Sequence, residues 1–70
     1  MAIPPSRRYL DWKLRTIGCI VEDTRVHTVV RLEEIKCVLR DDGHYPDSYL
    51  NGDTPEEAWE DEVGSIKDSI

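Results

Sequence analysis

The acidic residues of this chain are crowded into one end. Residues 41–70 carry ten of its fifteen carboxylates and a single base, Lys67, whereas residues 1–40 carry eight bases against five acids. The net charge of −6 thus combines a body at +3 with an end segment at −9. Carboxylates at that density repel one another and leave little apolar surface to offset the entropy of ordering. The pattern predicts a small globular domain over residues 1–43, opened by an N-terminal arm. Behind it, residues 44–70 read as an acidic, partly disordered tail that solubilises the chain, folds back onto its own body or meets a basic surface on a partner. Seventy residues make at most one domain, and a fold of that size buries a smaller fraction of its surface than a larger one.

Several classes fall away early. No apolar run approaches the roughly 18 to 20 residues needed to span a bilayer, and the start, Met1 to Arg8, lacks the apolar stretch of a secretion signal. The expectation is a cytoplasmic protein with no membrane partner, monomeric when free. Cys19 and Cys37 form no Cys-x-x-Cys pair and sit among aliphatic residues, which reads as two small apolar side chains rather than a disulfide or a metal site. His27 and His44 lack the spacing of a zinc knuckle beside them. No cofactor is expected.

Local patterns give an α+β fold. Pro4-Pro5 suits an extended arm. Ser6 offers an N-cap, and Leu10, Leu14 and Ile17 share one helical face that Gly18 would end, with Trp12 off the stripe. Ile17, Cys19 and Val21 then alternate, as do Val26, Thr28 and Val30, around the polar stretch 22–25. That reads as a β-hairpin. An amphipathic helix over 31–40 follows, with Leu32, Ile35, Val38 and Leu39 on the stripe that covers the hairpin. Residues 44–53 read as loop. Thr54-Pro55-Glu56-Glu57 has the form of a capping box, which opens a short helix over 55–63 carrying Trp59, Val63 and Ile66 on one face.

Enzymatic chemistry finds little support. There is no Gly-rich phosphate loop, no Gly-x-Ser-x-Gly and no His-Glu-x-x-His, and the adjacent acid pairs splay apart. The expectation is a binding protein, not an enzyme. Arg7, Arg8, Lys13 and Arg15 with Tyr9 and Trp12 mix charge with stacking surface, as a protein-binding hot spot or a single-strand binder does. The −9 end would repel phosphates, which favours a protein partner. Trp59 is a second candidate contact. The plainer alternative is that Tyr9 and Trp12 complete a small core. Ten carboxylates interleaved with Tyr45, Tyr49 and Trp59 suggest another class, a nucleic-acid-mimicking inhibitor of a host nuclease or defence complex.

The run Arg7-Arg8-Tyr9-Leu10-Asp11-Trp12, a short compact middle and an acidic end together resemble the small phage-encoded antitermination proteins of the Xanthomonas phage type. The resemblance implies binding to host RNA polymerase near the RNA exit channel. It also implies suppression of intrinsic termination and interference with promoter recognition, with nascent RNA nearby and an elongation factor as a further partner. Arg7, Arg8, Tyr9, Trp12, Lys13, Arg15 and Trp59 would be the contacts.

Overall fold

In the computed structural model, which describes residues 6–68, with side chains to Ile66, Ser6 caps the first helix as its hydroxyl predicts, accepting from the Tyr9 amide at 3.1 Å. That helix, α1 (Arg7–Glu22), does not stop at Gly18. It is followed by α2 (Thr28–Leu39), α3 (Tyr45–Leu50) and α4 (Pro55–Asp68). Among the described residues there is no strand, so the expected α+β fold is corrected to an all-helical one. The two halves of the expected hairpin, 17–21 and 26–30, lie mostly inside α1 and α2. The expected arm at residues 1–5 lies outside the described residues.

The physical reason is a second periodicity. Tyr9, Trp12, Thr16 and Ile20 recur at intervals of three and four and form the buried face of α1, a helical spacing that overrides the β-branched alternation beside it. Thr16 is accommodated because its hydroxyl donates back to the Trp12 carbonyl at 2.8 Å. The polar stretch that suggested a hairpin turn is a helix–helix connection. Asp23 accepts from the Arg25 amide at 3.0 Å, Val26 plugs the core at 6% exposure, and His27 caps α2 by accepting on Nδ1 from the Val29 amide at 3.2 Å.

Both inner helices end in the same way. After α2 the Asp42 amide donates to the Cys37 carbonyl at 2.9 Å, and after α3 the Asp53 amide donates to the Ser48 carbonyl at 3.0 Å. Each closure needs a left-handed residue, supplied by Asp41 at φ 58 and Gly52 at φ 85. The capping box at Thr54 and Glu57 forms as expected, with reciprocal bonds of 3.0 and 3.1 Å.

The acidic end is not a tail. α1 packs against both α2 and α4, and α3 rests on α4. Ala58, Trp59 and Val63 of α4 share one core with Tyr9, Trp12, Ile20, Val38 and Tyr45. Two indole N–H groups connect the halves of the chain: Trp12 donates to the Asp53 carbonyl at 2.8 Å, and Trp59 to the Asp23 carboxylate at 2.7 Å. The expectation of partial disorder fails because each turn of α4 turns its apolar residues inward and its exposed carboxylates to the opposite face, so charge and core do not compete.

Candidate binding surfaces

The residues expected to contact a partner separate into two groups. Arg7, Arg8 and Arg15 are exposed along α1, with Arg15 reaching Glu56 of α4 at 3.3 Å. Tyr9, Trp12 and Trp59 are buried at 5%, 8% and 2% exposure, which leaves none of the three rings free to anchor in a groove. Lys13 lies half-buried over the Tyr9 ring, 4.7 Å from its centroid, and pairs with Asp41 at 3.2 Å. Tyr9 and Trp12 also pack against Tyr49, with centroid separations of 4.7 and 5.6 Å. The mixture of cations and aromatics that resembled a hot spot is thus a core seam with basic residues on its outer edge.

The acids, in contrast, gain a rigid support. Glu56, Glu57, Glu60 and Asp61 are all exposed on the outer side of α4. At 1.5 Å per residue they span roughly 8 Å of helix, a charge spacing between those of a single strand and a duplex of nucleic acid, about 3.4 and 1.7 Å. Arg15 and Arg25 brace two of them from the α1 side, Arg25 holding Glu60 at 2.6 Å and Asp23 at 2.6 Å.

A half-buried polar cluster joins α2, α3 and α4. Tyr45 donates to Glu34 at 2.9 Å, and His44 contacts Glu62 at 3.0 Å and the Ala58 carbonyl at 3.1 Å. Burial, with Glu62 beside it, pushes the Glu34 carboxyl up, against the opposing pull of the Tyr45 hydroxyl. The two cysteines are free thiols, both half-buried. Burial pushes each thiol up and the neighbouring carboxylates add to it, which is the reverse of what activates a nucleophile. Among the described residues no group of three or more His, Cys, Asp or Glu is placed to hold a metal ion, and no helix is long and apolar enough to cross a membrane.

The surface that the sequence reading missed is apolar. Leu10, Leu14 and Val21 of α1 and Leu32 and Leu39 of α2 are each more than half exposed. The sequence places Leu10, Leu14 and Ile17 on one helical face, and leucine at that spacing usually faces a core. In this fold the inward side of α1 is taken by Tyr9, Trp12, Thr16 and Ile20. The signal available in the sequence was that α1 is apolar on two sides. No protein-family model, curated protein or solved structure matches the chain.

Proposed function

We propose that this chain is a non-enzymatic binding protein that acts on a nucleic-acid-handling machine of the host through its acidic α4 face. The observation that carries the reading is the placement of Glu56, Glu57, Glu60 and Asp61 on one exposed side of a capped helix whose other side is core. A fixed row of carboxylates meets a basic, nucleic-acid-binding surface without the entropy cost that a disordered tail carries. The resemblance noted above makes host RNA polymerase near its RNA exit channel the first target, with suppression of intrinsic termination and interference with promoter recognition as the consequences. Arg7, Arg8 and Arg15 form the edge that tolerates nearby RNA.

The test is co-elution with bacterial RNA polymerase, followed by transcription across an intrinsic terminator. Co-elution and read-through are expected, and both should fall at least tenfold in a Glu56→Lys, Asp61→Lys variant that keeps its helical content. Unchanged binding by that variant removes the acidic face from the interaction.

The rigid carboxylate row also favours a second reading, an inhibitor that occupies the nucleic-acid channel of a host nuclease or defence complex. Absence of polymerase co-elution, together with nuclease inhibition relieved by added DNA, selects it.

A further inference from the structure

We infer that the chain pairs with a second copy of itself through the apolar face shared by α1 and α2. This goes beyond the function proposed above and does not depend on it, because α4 packs on the opposite flank of α1, where Trp12 and Arg15 reach Asp53 and Glu56.

α1 and α2 run antiparallel. Tyr9 and Lys13 near the start of α1 bond Asp41 just after α2, and Val21 near the end of α1 lines one groove with Thr28, Arg31, Leu32 and Ile35. Counting back from Val21 beside Thr28, Leu14 comes level with Ile35 and Leu10 with Leu39. The exposed leucines and valine of the two helices therefore border one continuous strip. Leu10, Leu14, Val21, Leu32 and Leu39 are 52–58% exposed. With the edges of Ile17 and Ile35, the strip presents roughly 500 Å² of apolar surface, at the upper end of what a monomer shows and the apolar share of a standard interface of ~800 Å² per partner.

A second copy, not an unrelated protein, is favoured by the charges on the strip's two margins. At 100° per residue Asp11 lies on the α1 margin turned away from α2, and Lys36 and Arg40 lie on the α2 margin turned away from α1. A two-fold axis along the helices places α1 of one copy over α2 of the other, antiparallel. Asp11 then comes level with the partner's Lys36 and the partner's Arg40, and the pairing is made twice. Asp11 and Arg40 have no side-chain partner among the described residues, and Lys36 has only Glu33 at 3.4 Å. Gly18 lies beside the same stripe, exposed, with nothing within 4 Å of where its Cβ would sit. Nothing in the fold of one copy calls for glycine there, and a bare backbone lets a facing helix approach closely.

The full chain is examined by sedimentation from about 1 to 200 µM. A concentration-dependent dimer is expected, reduced to monomer by Leu14→Glu or Leu39→Glu at unchanged helical content. Asp11→Lys should weaken pairing at least tenfold, and adding Lys36→Glu and Arg40→Glu should restore it. The charge exchange touches no core residue, so it reports on pairing even if a glutamate variant unfolds. A monomeric mass across the whole range overturns the inference, as does a dimer indifferent to both sets of changes.

Discussion

The Tyr9 hydroxyl donates to the Asp41 carboxylate at 2.6 Å, joining the first turn of α1 to the left-handed residue that closes α2. An L-residue at φ 58 carries a steric penalty of about 1 kcal/mol that glycine lacks. Asp41 holds the position because it also accepts from Lys13 at 3.2 Å. Tyr9→Phe should lower stability by about 1 kcal/mol. Asp41→Ala and Asp41→Gly both lose the two bonds, but only alanine keeps the backbone strain. Denaturant unfolding should rank alanine below glycine by about 1 kcal/mol, and equal midpoints would remove strain from the account.

Trp59 decides between core and contact. At 2% exposure, with its N–H on Asp23, its truncation to alanine should cost ~3–5 kcal/mol. A chain this small has little more than that to lose. Thermal unfolding monitored by circular dichroism should show Trp59→Ala largely unfolded at 37 °C. A folded variant that had lost only partner binding would contradict its place in the core.

Asp23 is the polar counterpart. Arg25 chelates it, and the Trp59 N–H adds to that, holding its carboxyl far below the usual range. Tyr9, then Lys13, lower Asp41 in the same direction. Groups lowered in the folded state contribute stability that is present above the unfolded value of 3.8 and is lost as pH falls through the folded values. Asp23→Ala leaves a buried indole N–H unpaired and should cost about 2 kcal/mol at pH 7. The difference from the native chain should shrink at pH 2.

Glu34 works the other way. Its carboxyl is raised by burial and by Glu62, so its favourable contribution is present below the unfolded value of 4.5 and lost as pH rises through the folded one. Glutamine keeps an acceptor for Tyr45 and adds a donor for Glu62. Glu34→Gln should therefore raise the melting temperature at pH 7 and flatten its dependence between pH 4 and 8. A lower melting temperature at pH 7 would refute the sign.

The starts of α1 and α4 and the inward face of α4 were legible in the sequence, whereas the end of α1 and its inward face were not. Ser6, and Thr54 with Glu57, satisfy named backbone donors, so the residues themselves specify where α1 and α4 begin. α2 begins three residues before its expected start, because a histidine, His27, acts as the cap. Residues 44–53 carry loop signals, yet Pro46 sits in the first turn of α3, where a missing N–H costs nothing. The alternation of Ile17, Cys19 and Val21 points to a strand, but these residues lie in a helix that carries two apolar stripes. The more apolar one, Leu10, Leu14 and Ile17, faces mostly outward, while a tyrosine, a tryptophan and a threonine face in. Ring area and a satisfied hydroxyl fill the core better than leucine does here, and no local rule ranks one stripe above the other. The acidic face was visible as composition, but its rigidity depended on the packing of Ala58, Trp59 and Val63 against α1.

The central position of α1 has a bearing on synthesis. Its rings meet Tyr49 of α3 and the Asp53 carbonyl just before α4, and share the core with Ala58 of α4, so a nascent chain that has extruded only the first two helices holds an open apolar seam. Such a chain stays a substrate for chaperones and proteases until α4 has emerged, and a ribosome stalled before Trp59 would deliver a fragment marked for destruction.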